Sequence, residues 1–129
     1  MFAIMPAQDK RTLVAIVDDD ESVRGALQGL MHEACLPTCV FECAEDFLDS
    51  AKRHDIGCLI ADIRMPGISG LELQSRLNAE HRRIPIIFIT AHGDEEMRLR
   101  ALRAGAVEFL AKPFDDQALL DSVRAALNY

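Results

Sequence analysis

The run Leu13-Val14-Ala15-Ile16-Val17 ends on the triplet Asp18-Asp19-Asp20. Unbroken apolar residues of this length fit a strand covered on both faces, as in a parallel sheet. Three carboxylates directly after it put charge where the chain leaves the core. Downstream, Val23, Leu27, Leu30, Met31 and Ala34 recur at the spacing of one helical stripe. Pro37 stops that helix, and Thr38–Phe41 reads as a second strand. Ala44–Lys52 is a short helix with Phe47, Leu48 and Ala51 inward, and Cys58–Ala61 is a third strand. Pro66, Gly67 and Gly70 mark the loop that follows. Ser69 and Glu72 fit a capping box for a helix that uses Leu73 and Leu77. Ile84–Ile89 is a fourth strand, with Pro85 tolerated only near its start. Asp94–Ala104 is a helix that Gly105 stops, and Val107–Ala111 is a fifth strand. Asp115 caps a last helix with Leu119, Leu120, Val123 and Leu127 inside, and Phe114 and Leu119 are spaced as a hydrophobic staple.

Five strands alternating with five helices predict an α/β domain whose parallel sheet carries helices on both faces. A chain of 129 residues is one domain by size. Residues 1–11 are expected to be a flexible tail and residues 12–129 the domain. Apolar residues make up 50% and charged residues 27%, which excludes wholesale disorder. The net charge of −7, with no basic stripe, argues against nucleic-acid binding by this segment. No apolar run approaches the roughly 20 residues of a membrane span. Met1–Met5 is too short for a signal-peptide core, so a cytoplasmic location is expected. Cys35, Cys39, Cys43 and Cys58 are read as free buried thiols. The C-x3-C-x3-C spacing of the first three lacks the close pair of a zinc site.

Open parallel sheets bind ligands beyond the carboxyl ends of their strands. The residues found there are Asp18, Asp19 and Asp20 after the first strand, Asp62 after the third, Thr90 after the fourth and Lys112 after the fifth. Clustered carboxylates raise one another's pKa, and a divalent cation relieves the repulsion. Mg²⁺ suits one or two carboxylates plus a phosphate oxygen. A Lys and a Thr hydroxyl add a cation and a donor for a phosphoryl group, and an Asp can itself be the nucleophile. The chemistry points to Mg²⁺-assisted phosphoryl transfer to an Asp. Taken singly, each residue has a plainer reading: a strand-end Asp is usually a turn or cap, which suits Asp20, and a lone Lys is usually solvated.

The segments Val14–Glu21, Leu59–Gly67, Ile87–Asp94 and Gly105–Phe114 together resemble the receiver domain of two-component response regulators, from about Leu13 to Leu127. The wording around Thr90 and Phe109 is most similar to the nitrogen-fixation regulator subfamily, whose receivers usually precede a helix-turn-helix output domain. The resemblance implies a flavodoxin-like doubly wound sheet of order 2-1-3-4-5. It implies Asp62 as phosphoacceptor, charged by a histidine kinase or phosphotransfer protein. Mg²⁺ would be held by Asp18, Asp19, Asp62 and the backbone carbonyl of Arg64. Thr90 would be the switch hydroxyl, Lys112 the phosphate-sensing amine and Phe109 the switch aromatic, with a cis bond at Lys112–Pro113. Arg64 and His92 would sit near the phosphate. Such a domain is a signalling switch and not a turnover enzyme. Its expected output face is helix 94–104 with strand 107–111, where Arg98, Arg100 and Arg103 would serve a second copy or an output domain.

One alternative comes from another class. Asp18-x-Asp20-x-Ser22 resembles the first motif of haloacid-dehalogenase phosphatases, with Asp18 as nucleophile and Asp20 as acid/base; Thr90, Lys112 and Asp115-Asp116 would supply later motifs. The chain is short for that family, and the reading leaves Asp62 without a role. A pseudo-receiver that only docks partners is disfavoured by the intact Asp62, Thr90 and Lys112.

Overall fold

The computed structural model describes residues 12–50, 55–91 and 93–128. Strands and helices alternate: β1 (Leu13–Val17), α1 (Glu21–Glu33), β2 (Thr38–Phe41), α2 (Ala44–Asp49), β3 (Ile56–Asp62), α3 (Gly70–Ala79), β4 (Ile86–Thr90), α4 (Glu95–Arg103), β5 (Glu108–Ala111) and α5 (Asp116–Ala126). The five strands form one parallel sheet of order β2-β1-β3-β4-β5, as the resemblance implied. The tail 1–11, Ala51, Lys52 and His92 lie outside the described residues.

Strand periodicity divides the core. Ala15, Val17, Leu59, Ala61 and Phe88 face α2, α3 and α4 through Phe47, Leu73, Leu77 and Ala101. Their neighbours Val14, Ile16, Cys58, Ile60, Ile87 and Ile89 face α1 and α5 through Leu27, Met31, Leu119 and Val123. Both faces of the central strands are therefore dry, which explains why their sequences run apolar without alternation. Phe114 packs in the second cluster with Leu119, as the staple spacing anticipated.

Several boundaries differ from the sequence reading. Strand β3 starts at Ile56, runs through Gly57 and includes Asp62, all of it buried. Burial and pairing with β1, including an irregularity between Leu13 and Val14, override the weak strand tendency of Gly57. Strand β4 begins at Ile86 because Pro85 has no N–H to donate, although its carbonyl still accepts from Leu59 (2.9 Å). Strand β5 begins at Glu108, with Val107 bonded to Ile86 just outside it. The capping box is half made: Ser69 accepts from the Glu72 N–H, but the Glu72 carboxylate pairs with Arg76. Asp115 is the N-cap of α5 without a side-chain capping bond. The cysteines are free, but only Cys58 is buried; Cys35 is exposed, and Cys39 and Cys43 are half-buried. Burial pushes the Cys58 thiol up to about 12, so it is inert packing.

Helix α1 carries Gly25 and Gly29 on its exposed side, and a methyl group at either would meet nothing within 4 Å. Glycine inside a helix costs backbone entropy without a packing return here. Gly25→Ala and Gly29→Ala are each expected to stabilise the domain by about 0.5–1 kcal/mol in urea unfolding. A loss of stability in either variant would show that the exposed face of α1 is constrained in a way the fold does not reveal.

Candidate functional site

Sheet register assembles the site. Val17 pairs with Ala61, so Asp18 and the β3 terminus at Asp62 leave the sheet side by side. Asp62 pairs with Ile89, which places Thr90 one residue further along β4. Thr90 pairs with Ala111, and the Lys112 N–H donates to the Thr90 carbonyl (2.9 Å). Residues 18, 62, 90 and 112, scattered through the sequence, thus share one end of one sheet.

The two buried carboxylates are bound in the same way. Asp18 Oδ1 accepts from the Asp20 N–H (2.9 Å), and Asp62 Oδ1 accepts from the Arg64 N–H (3.2 Å). Each is the local turn that an Asp makes with the backbone two residues on. The second oxygen of each carboxylate is 3.3 Å from Lys112 Nζ. One ammonium therefore bridges two carboxylates, of which Asp18 is 0% and Asp62 6% exposed. The Asp18 carbonyl accepts from the Arg24 guanidinium (2.8 Å), which ties the β1 end to α1.

Burial holds the Asp18 carboxyl above its ordinary range. The Asp20 N–H opposes this, the Asp62 charge adds to it, and Lys112 opposes it again. For Lys112, partial burial works against the charged form, but Asp18 and Asp62 outweigh it and raise its pKa. Burial thus sets the direction at Asp18, and the two neighbouring carboxylates set it at Lys112. Asp19 is exposed, yet one of its carboxylate oxygens lies within 4.8 Å of those of Asp18 and Asp62. Three hard oxygen donors in that space fit a small divalent cation. Lys112 precedes a cis bond to Pro113.

Thr90 is buried, and Phe109 packs half-buried against the core face that holds Phe88. The Arg64 side chain is exposed, while its N–H stays on Asp62. His92 lies outside the described residues. Asp20 accepts from the Ser22 and Val23 N–H groups as the N-cap of α1. Sequence reasoning missed two neighbours of the site. Glu45 on α2 accepts from the Ile68 N–H (3.4 Å) and fills the space beside Gly67, whose φ of 78° no ordinary side chain favours. Gly93 fits against Thr90 and Phe109 with no room for a side chain. A lone Glu and a lone Gly carry no periodic signal; only the tertiary contact singles them out.

The family model described as "Response regulator receiver domain" matches residues 14–124. The chain belongs to the response regulator receiver family. A crystal structure titled FixJ-N is 39% identical with a TM-score of 0.80, and the match covers 91% of this chain and 94% of that one. The response regulator protein TodT of Pseudomonas putida is 44% identical over 119 residues, 92% of this chain and 52% of that protein. The transcriptional regulatory protein FixJ of Azorhizobium caulinodans is 44% identical over 114 residues, 88% of this chain and 54% of that protein. The chain spans about half the length of these curated relatives, and FixJ among them agrees with the subfamily resemblance. Receiver domains are signalling domains that bind Mg²⁺ at their Asp cluster, and this receiver has such a group in Asp18, Asp19 and Asp62. The phosphatase alternative is overturned: the family match spans the chain, and the side chain of Asp20 is spent on capping α1. Among the described residues, no helix is long and apolar enough to cross a membrane.

A raised carboxylate pKa favours the folded state below the unfolded value and works against it as pH climbs through the folded one. For Asp18 that window opens at about 3.8 and extends upward. For Lys112 the raised pKa contributes stability below its ordinary 10.5, lost only as pH rises through its higher folded value. Lys112→Met removes the shared cation and is expected to destabilise the metal-free receiver by about 1–3 kcal/mol at pH 7. The deficit should shrink at a lower pH, as Asp18 takes up its proton. Denaturant unfolding at both pH values checks this; an equal deficit at both would mean that Lys112 acts by packing alone.

Proposed function

We propose that residues 12–129 form a phosphoacceptor receiver in which Asp62 accepts a phosphoryl group from the phosphohistidine of a histidine kinase or phosphotransfer protein. The observation behind this reading is that Lys112 Nζ sits between the free oxygens of Asp18 and Asp62. A carboxylate oxygen of Asp62 would attack phosphorus, forming a P–O bond as the P–N bond breaks. The electron pair of that bond stays on the imidazole nitrogen, which then takes a proton. Mg²⁺, held by Asp18, Asp19, Asp62 and the Arg64 carbonyl, would offset the negative charge that the transferred group brings. Lys112 keeps a cation at the acceptor, and the Arg64 N–H orients the Asp62 carboxylate. The domain is a stoichiometric switch without turnover of its own beyond losing its phosphate to water. Its expected compartment is the cytoplasm, where the chain's lack of disulfides is at ease.

Phosphorylation adds charge and acceptor oxygens beside Asp62. Thr90 would rotate to donate to one oxygen, Lys112 would pair with another, and Phe109 would turn into the space Thr90 leaves. The surface of α4 and β5 would change with it. Arg98 is already tied to Glu95 within the helix (2.6 Å), so Arg100, Arg103 and the 44%-exposed Val107 are the groups offered to a second copy or an output domain. No direct nucleic-acid contact by this segment is expected at its net charge of −7.

With Mg²⁺ and a small-molecule phosphodonor, Asp62→Asn should lose the labile phosphate seen by intact mass, whereas Asp20→Asn should keep most of it. The opposite ranking would sink the assignment of Asp62. In sedimentation, beryllofluoride, an acyl-phosphate mimic, should strengthen self-association of the parent, and Thr90→Ala should blunt that gain while still accepting phosphate. An unchanged mass with bound mimic would rule out homodimer output by the α4–β5 face.

A further inference from the structure

We infer that Glu45 is a positioning residue of the phosphoacceptor loop, a carboxylate on α2 that fixes the stretch between β3 and α3 on which Mg²⁺ binding depends. The loop leaves the sheet at Asp62 and enters α3 at Gly70. Its start is tied by the Arg64 N–H to Asp62 Oδ1 (3.2 Å), and its end by the Gly70 N–H to the Ile63 carbonyl (2.8 Å). A Cβ at Gly70 would run into the Asp62 carbonyl, so the loop returns against the backbone of the acceptor itself. Between these two ties, Gly67 turns the chain with φ of 78°, and the Ile68 N–H donates to Glu45 Oε2 (3.4 Å). The middle of the loop is thus held from a different helix, by a residue 23 positions earlier in the chain.

The carboxylate is fitted to the loop. A methyl group at Gly67 would overlap Glu45 Oε2 and would lie 3.3 Å from its Cδ and 3.4 Å from Oε1. Only a residue without a side chain lets the backbone come this close. The helix that carries Glu45 cannot drift, because Ala44 and Phe47 on either side are buried in the core cluster that also takes Met65 and Ile68 of the loop. Glu45 Oε1 is buried and has no hydrogen-bond partner among the described residues. A bare buried acceptor costs the fold free energy, so stability alone does not account for a carboxylate here. Arg64, whose carbonyl is a Mg²⁺ ligand in the reading above, stands between Asp62 and this contact. Groups behind a metal ligand hold it in place and so set the affinity for the ion. Without Glu45 the loop keeps its two end ties and loses the one that holds its middle.

This inference rests on the metal-assisted reading above, and the test separates the two. Mg²⁺ is titrated into the parent and three variants, followed by backbone amide NMR. Glu45→Ala should raise the Kd for Mg²⁺ about tenfold, the scale of loss when a group that orients a metal ligand is removed. Glu45→Gln keeps the length and an acceptor oxygen but not the charge, and should bind Mg²⁺ nearly as the parent does. Glu45→Asp keeps the charge but is one methylene short of the loop, and should bind as weakly as Glu45→Ala. Hydrogen exchange at the Ile68 amide should quicken in the Ala and Asp variants and stay slow in Glu45→Gln. The Gln and Asp variants decide the matter between them if Glu45→Ala does not fold. A Gln variant as weak as Ala, an Asp variant as tight as the parent, or unchanged exchange at Ile68 in Glu45→Asp would overturn the role of Glu45. A parent that takes up no Mg²⁺ would overturn the metal-assisted reading itself.

Discussion

Everything at the functional end of this receiver turns on one ammonium between two buried carboxylates. Asp18 and Asp62 come from strands that the fold must place side by side, and Lys112 Nζ lies 3.3 Å from an oxygen of each. Their other oxygens are held by backbone N–H groups two residues on, so neither carboxylate can turn away from the cluster. The arrangement is short of positive charge: Asp18 and Asp62 share the Lys112 ammonium, with Asp19 close by, and burial makes the imbalance felt. A divalent cation or a transferred phosphoryl group each changes that balance, which is what a switch needs at its input.

In the switch proposed above, the output would follow from packing and not from charge. Thr90 and Phe109 stand on adjacent strands, and the loop that leaves β4 passes over both at Gly93. Gln74 and Asn78 tie the C-terminal end of α4 to α3 through the Ala101 and Ala104 carbonyls. Close-packed interiors shift between discrete arrangements and do not deform smoothly, so in the proposed switch a single torsion at Thr90 would suffice to select one.

Much of this was legible in the sequence because the fold writes its site at strand ends. Unbroken apolar runs located β1, β3 and β4, and the residue after or at the end of each was a chemically pointed one: Asp18, Asp62, Thr90. The cap at Ser69 and the stop at Gly105 were equally local signals. What escaped were positions whose meaning is set by distant partners. The apolar run alone began the third strand at Cys58, and the structure extends it back through Gly57 to Ile56 beside β1. Glu45 carries no signal in the sequence, although it meets the loop at Gly67 and Ile68. Asp20 looked open to catalysis in one reading, and its bonds to Ser22 and Val23 close that role.

The charge imbalance at Asp18 is the claim on which the rest stands, and ¹³C-carboxyl NMR titration of Asp18 with and without Mg²⁺ tests it most directly. Without Mg²⁺, Asp18 should titrate above its ordinary 3.8, because burial and the Asp62 charge outweigh Lys112 and the Asp20 N–H. With saturating Mg²⁺ its midpoint should fall. A midpoint at the ordinary value that ignores Mg²⁺ would contradict the account.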